Sequence, residues 1–224
     1  RQGKHPELHL RSFRGVLQAD AFAGYDRLFS TSREGGVLTE AACWAHARRK
    51  IHDVYISSQS ATAEEALKRI GELYAIEAEI RGMPETERLA ARQSRSAPLL
   101  ASLHEWMVEK SATLSKKSRL GEAFTYALNQ WDALCYYCRD GLAEPDNNAA
   151  ERALRAVCLG KKNYIFFGSD HGGERGALLY GLIGTCRLNG IDPEAYLRHI
   201  LSVLPEWPSN RVGELLPWNV AIPA

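Results

Sequence analysis

Two carboxylates in this chain, Asp20 and Glu151, have neighbours that could turn them to chemistry. Asp20 follows Val16-Leu17-Gln18-Ala19, a short apolar run that reads as a buried strand, and precedes a turn at Gly24. A carboxylate at the tip of such a strand is held rigidly at a sheet edge, where a metal ion can bind. Glu151 lies in Glu144-Pro145-Asp146-Asn147-Asn148-Ala149-Ala150-Glu151-Arg152-Ala153-Leu154-Arg155, in which Asp146 or Asn147 is a good helix N-cap. At about 100° per residue, Asn147, Asn148, Glu151, Arg155 and Lys162 share one face, and Ala149, Ala153, Ala156 and Val157 share the other. The expectation is a helix buried on its alanine side that presents a carboxylate flanked by amides and cations. Each acid also has a plainer reading: Asp20 starts a turn, and Glu151 pairs with Arg155 at i+4.

The elements that must position these acids are mostly helical. His5 to Phe13 reads as a helix, and a second short strand is expected within Val37 to Ala42. Cys43 to Tyr55 carries Trp44, Ala47 and Ile51 on one side of a helix. Ala63 to Arg81 repeats apolar residues at Ala66, Leu67, Ile70, Leu73, Tyr74 and Ile76. A helix opened by Pro84 is expected to be interrupted near Ser94-Arg95-Ser96 before Leu99, Leu103 and Trp106, and Arg119 to Arg139 follows as another. Beyond the Glu151 helix, Asn163 to Phe167 reads as a strand or extended segment and Gly168 to Gly173 as a loop. Glu174 to Leu188 and Asp192 to Leu204 read as helices.

Composition bounds the class. With 45% hydrophobic and 25% charged residues, the chain is that of an ordinary globular protein, and no apolar run is long enough for a membrane helix. Arg1 stands where a Met would begin a reading frame, and no apolar leader follows, so we expect a cytoplasmic chain lacking some N-terminal part. Five scattered cysteines, Cys43, Cys135, Cys138, Cys158 and Cys186, do not form a disulfide framework. Cys43-x-x-His46 and Cys135-x-x-Cys138 have zinc half-site spacing, but both sit in ordinary helical contexts and no metal is expected at either. Net charge is +1, yet basic residues cluster at Arg48-Arg49-Lys50, Lys116-Lys117 and Lys161-Lys162. Such clusters contact phosphates or simply solvate a helix face.

Taken together, six ordered blocks carry a resemblance that no one of them carries alone. They are Leu17-Gln18-Ala19-Asp20-Ala21-Phe22-Ala23-Gly24-Tyr25, Ala42-Cys43-Trp44-Ala45-His46-Ala47-Arg48-Arg49-Lys50, Asp146-Asn147-Asn148-Ala149-Ala150-Glu151-Arg152, Gly160-Lys161-Lys162-Asn163, Gly168-Ser169-Asp170-His171-Gly172-Gly173-Glu174-Arg175 and Leu188-Asn189-Gly190-Ile191-Asp192-Pro193. In this order they resemble the insertion-sequence sixty-six family of DDE transposases, from about His5 to Trp218. The resemblance implies an α-rich α/β chain: part of a ribonuclease-H-like fold over 1–186, with a helical insertion at about 57–139, and a C-terminal segment over 187–224. It also implies an Asp, Asp, Glu centre for metal-dependent DNA cleavage and strand transfer.

Asp20 matches the second Asp of that centre and Glu151 the Glu, and both would hold Mg²⁺ or Mn²⁺. Two such ions about 3.5–4 Å apart stabilise the attacking and leaving oxygens of an in-line displacement, and hard cations of this kind prefer carboxylate oxygens. The two carboxylates are then expected within roughly 8 Å of each other, a gap that bridging metals can span. His46, Arg48, Arg49, Asn147, Asn148, Arg152, Arg155, Lys161 and Lys162 would contact DNA, with element ends and target as partners and a homo-oligomer as the working assembly. The family's first Asp belongs to an earlier strand. Before Asp20 the only acidic residue is Glu7, in the wrong kind of segment, so the chain alone is expected to be inactive. The rival readings are a noncatalytic DNA-binding or assembly module left from a transposase, and a helical protein–protein scaffold.

Overall fold

Helical spacing of apolar residues runs through most of the chain. The computed structural model describes residues 3–20, 23–115 and 117–222, and among them forms ten α-helices and one two-stranded sheet. The chain divides into two units, Arg1–Asn148 and Ala149–Ala224. It is thus α-rich, as its patterns led us to expect.

In the first unit, α1 (Lys4–His9) precedes β1 (Val16–Gln18), and β2 (Thr39–Ala41) pairs with β1 in parallel, with Val16 opposite Thr39 and Gln18 opposite Ala41. Parallel strands need a crossover. Here it contains a 3-10 helix, Ala23–Phe29, in place of the simple turn expected at Gly24. Leu28 from that helix is fully buried, and its carbonyl accepts from the Leu38 N–H at 3.3 Å.

The helices that follow form the core. Trp44, Ala47, Ile51 and Val54 are the buried stripe of α2 (Trp44–Ser58). In α3 (Ala61–Glu79), capped by the Ser60 hydroxyl, Ala66, Ile70 and Leu73 turn inward. The expected interruption after α4 (Glu85–Ala91) is a π turn, Arg92–Ser96, which runs on into α5 (Ala97–Thr113). Leu103 and Met107 of α5 meet Phe124 and Ala127 of α6 (Arg119–Asn129) in the same cluster. The single helix expected over Arg119 to Arg139 is broken. Gln130 leaves helical geometry (φ −100°, ψ 12°), a short α7 (Trp131–Leu134) follows, and a 3-10 turn spans Tyr136–Cys138.

The second unit corrects two further expectations. Helix α8 (Asn148–Tyr164) takes in the first two residues of the segment expected as a strand or extended stretch, and the Ile165 N–H still bonds the Lys161 carbonyl at 2.7 Å. Ile165 then ends the helix with φ +64°, and the aromatic run folds back so that the Tyr164 and Phe167 rings lie 5.0 Å apart. Tyr-Ile-Phe-Phe has strand character, but among the described residues this unit has no strand to pair it. Helix α9 (Asp170–Leu188) starts four residues earlier than expected, because the Ser169 hydroxyl caps it by accepting from the Gly172 N–H at 3.1 Å. Gly172 is needed there: a Cβ would lie 2.1 Å from the Phe167 carbonyl oxygen. Helix α10 (Pro193–Val203), capped by Asp192, completes the set.

A β-branched residue in the left-handed region is strained, and Ile165 is 70% exposed, so little packing offsets the strain. Ile165→Gly should therefore stabilise this unit by about 1 kcal/mol, after allowing for the greater freedom of glycine in the unfolded chain. The check is the urea midpoint, and a lower midpoint would show that contacts of Ile165 outweigh its strain.

Candidate functional site

Asp20 sits just beyond the hydrogen-bonded end of β1, where the Ala19 N–H reaches the Ala41 carbonyl at 2.9 Å. The residue is half-buried. Its backbone carbonyl accepts from the Tyr126 hydroxyl at 3.4 Å, and the Tyr126 ring carries the Lys50 ammonium 4.7 Å from its centre. Among the described residues, no hydrogen bond or ion pair engages the Asp20 carboxylate. Its position is therefore fixed through the backbone while its oxygens stay available, a setting that suits a hard cation.

Across the sheet, β2 feeds directly into α2. Cys43 and Trp44 at this junction hold the segment that leads to α8: the Trp44 N–H donates to the Pro145 carbonyl at 2.9 Å, and the Asn147 N–H points to Cys43 Sγ at 3.5 Å. From β1, the Gln18 amide donates to the Glu144 carbonyl. Asp146 accepts from the Asn148 N–H at 3.1 Å with one oxygen and from the Tyr74 hydroxyl at 3.2 Å with the other. An Asp bonding the backbone two residues on satisfies a donor that the first helical turn would otherwise leave open.

Arg48, Arg49 and Asn148 line one groove of about 560 Å³ with Ala45, His52, Gly71, Tyr74 and Asp146. Both arginines are exposed and, among the described residues, neither makes an ion pair. Three other exposed arginines of this unit are paired: Arg11 with Glu34, Arg95 with Glu79 and Arg139 with Asp132. Uncompensated cations beside amides are what an anionic polymer would meet. His46 lies on the same helix, half-buried, with its N–H on the Cys43 carbonyl at 3.2 Å.

The remaining expected site residues, Glu151, Arg152, Arg155, Lys161 and Lys162, all lie on α8 in the second unit. Glu151 occupies the first turn and Lys161 and Lys162 the last, so each charge opposes the helix dipole at its own end. The alanine side is not buried as expected. Ala149, Ala153 and Ala156 are exposed, Leu154 and Leu159 are 61% and 51% exposed, and α8 buries no residue among those described. Alanine spacing signalled a face that can approach a neighbour closely, but it cannot supply the neighbour.

Tyr74, Asp146, His52, Lys50 and Tyr126 complete the surroundings of the site. Tyr74 had read as one more apolar position in the α3 repeat. Its hydroxyl distinguishes it, since a half-buried tyrosine needs an acceptor. Burial, then the nearby Asp146 charge, pushes the Tyr74 phenol up, so it stays a donor. Burial likewise raises the Cys43 thiol, against the backbone N–H groups of Asn147, His46 and Ala45. Cys135 is pushed up to about 12, by burial and then Cys138, and Cys138 to about 11, mainly by burial. These thiols are neutral at physiological pH.

Comparison with known proteins agrees with this arrangement of blocks. Residues 1–175 match the family described as Transposase IS66 family, and residues 181–218 match the IS66 C-terminal element. The chain belongs to the IS66 transposase family. It is 40% identical over 98% of its length to the uncharacterized protein y4hP of Sinorhizobium fredii, covering 42% of that protein. It is also similar to two more uncharacterized proteins of that organism: y4jD (38% identity over 98% of this chain and 44% of the relative) and y4qI (37% over 94% and 40%). The chain thus spans about two fifths of the length of the curated relatives it matches. No solved structure matches it. Among the described residues, no helix is long and apolar enough to cross a membrane.

Two substitutions probe this geometry. Tyr74→Phe should cost about 1 kcal/mol in urea unfolding, the worth of one partly buried bond to a carboxylate, and the loss should vanish when Asp146 is already replaced by Ala, which offers the hydroxyl no acceptor. Glu40, on β2, has its carboxyl raised by burial and then by the Asp26 charge. With the folded value above the unfolded one, its contribution is full at acid pH and lost as pH rises through the folded value. Glu40→Gln should therefore raise the thermal midpoint at neutral pH and leave it unchanged at acid pH; the reverse pattern would refute the assignment.

Proposed function

We propose that this chain is the part of a DNA transposase that supplies the second Asp, Asp20, and the Glu, Glu151, of a metal-dependent centre for DNA strand cleavage and strand transfer. Family membership over most of the chain supports this reading, and the observation that carries it is Asp20 itself, a carboxylate fixed through its backbone at the end of a parallel strand. We read residues 1–186 as the remainder of a ribonuclease-H-like catalytic domain, with a helical insertion at about 57–139, and 187–224 as the C-terminal segment. The first Asp of the trio comes from a strand outside this chain, so the chain does not act alone.

Asp20 and Glu151 would each supply carboxylate ligands to Mg²⁺ or Mn²⁺, which when bound would offset the charge that builds on the attacking and leaving oxygens. Arg48 and Arg49, exposed on the groove wall, contact phosphates. His46, Asn147, Asn148, Arg152, Arg155, Lys161 and Lys162 position the DNA around the scissile bond. The substrates are the element's ends and the target, met in the cytoplasm by a homo-oligomer.

The test uses the full-length protein, a labelled terminal duplex and Mg²⁺. Asp20→Asn and Glu151→Gln should each lower cleavage by about a hundredfold or more, the scale of losing an electrostatic catalytic group, with DNA affinity retained. Arg48→Ala should instead weaken binding to all sequences and lower the salt slope by about 1. Cleavage unaffected by either acid substitution overturns the catalytic reading. Binding without cleavage in the unaltered protein would favour a noncatalytic DNA-binding module.

A further inference from the structure

The segment from Tyr137 to Asn148 has almost no regular structure after its 3-10 turn, yet it ends at the groove with Asp146 and Asn148. Irregular backbone keeps one shape only if something satisfies its carbonyls. Here that group is Arg92, which is fully buried.

The Arg92 guanidinium faces two ways. Nε and Nη2 form a fork on Glu77 of α3, at 2.8 and 2.7 Å. Nη1 faces four carbonyl oxygens of the irregular segment: Ala143 at 2.7 Å, Asp140 at 2.9 Å, Tyr137 at 3.2 Å and Gly141 at 3.4 Å. Nη1 has two hydrogens, so Ala143 and Asp140 take the strong bonds and the others share them. Glu77, 6% exposed, adds no bond to that segment and serves to orient and neutralise the guanidinium. Burial opposes the charge on Arg92, but the bonds to Glu77 and its charge outweigh that, so Arg92 stays protonated. The π turn starts at Arg92 itself, and such turns insert a residue into a helix and frequently mark functional sites. A buried ion pair is a poor means of stabilising a core, since apolar residues of similar volume often do as well. Holding backbone carbonyls is a task that apolar residues cannot do.

We propose that Arg92, oriented by Glu77, is a positioning residue: it holds the Tyr137–Asn148 segment so that Asp146 and Asn148 are set in the groove wall. The idea goes beyond the transposase reading and rests on it only for the meaning of the groove.

The test compares the unaltered chain with Arg92→Lys, which keeps the charge but loses the fork, and with the double variant Glu77→Met, Arg92→Met, which removes both buried charges at similar volume. Amide hydrogen exchange is followed at Leu142, Ala143, Asn147 and Asn148, and at Trp44, whose N–H is bonded to Pro145. Both variants should exchange about tenfold or more faster at these amides, while core amides of Ile51, Ile70 and Phe124 stay protected. Binding of a short duplex should weaken with its salt slope unchanged, because the phosphate contacts are still present. Unchanged protection of the segment in the double variant overturns the proposal. So does global unfolding of that variant, which would make the pair part of the core rather than a local strap. If the unaltered chain binds no duplex, the DNA reading of the groove fails, and the exchange data still decide the role of Arg92.

Discussion

A guanidinium without access to water must find acceptors for its N–H groups inside the protein, and the course of the 137–148 segment depends on how Arg92 does so. Its acceptors are a carboxylate from α3 and carbonyls from the chain between the 3-10 turn and α8. Removing one partner of such a pair typically costs about 3–5 kcal/mol, because the other charge is left buried and uncompensated. This interaction is directional, whereas the surrounding apolar cluster is not. Burial of Ile51, Ile70, Leu103 and Phe124 brings the helices together. The guanidinium selects which backbone conformation of the 137–148 segment goes with that packing.

Helix α2 joins the core to the groove. Its buried stripe runs Trp44, Ala47, Ile51 and Val54, and the Trp44 indole N–H reaches the Leu134 carbonyl at 2.9 Å. The opposite side carries Arg48, Arg49 and His52 into the groove. Because a helix is rigid over this length, the cations inherit the precision of the core packing. Trp44 also meets Trp131 edge-on at 5.6 Å, which ties α2 to the chain that leads toward Asp146. Cations, amides and the Asp146 carboxylate therefore share one framework, even though they come from distant parts of the sequence.

Much of this was legible in the residues. The strand before Asp20, the α2 stripe and the start of α10 at Asp192 follow from period and capping chemistry. What was hidden had a physical cause in each case. The interruption near Ser94 to Ser96 was expected, but only the acceptors of Arg92 show the purpose of the π turn that makes it. Tyr74 fits an apolar repeat until its hydroxyl meets Asp146. Tyr164 to Phe167 has β-branched and aromatic composition, but strand character is realised only beside another strand. For α8, alanine spacing led to the expectation of a buried face that is exposed here, since burial depends on what lies against it.

The lack of buried residues in α8 changes what holds that helix in place. Most helical stability in proteins comes from packing an apolar face. Among the described residues α8 buries none fully, which gives its ends more weight. At its start Asp146 accepts from the Asn148 N–H, and Glu151 sits in the first turn; at its finish Lys161 and Lys162 complement the dipole. Asp146 can cap only if the segment before it is fixed, and that segment is fixed by Arg92, Trp44 and Gln18. The helix that carries Glu151 thus depends for its starting point on a buried guanidinium some sixty residues earlier in the chain.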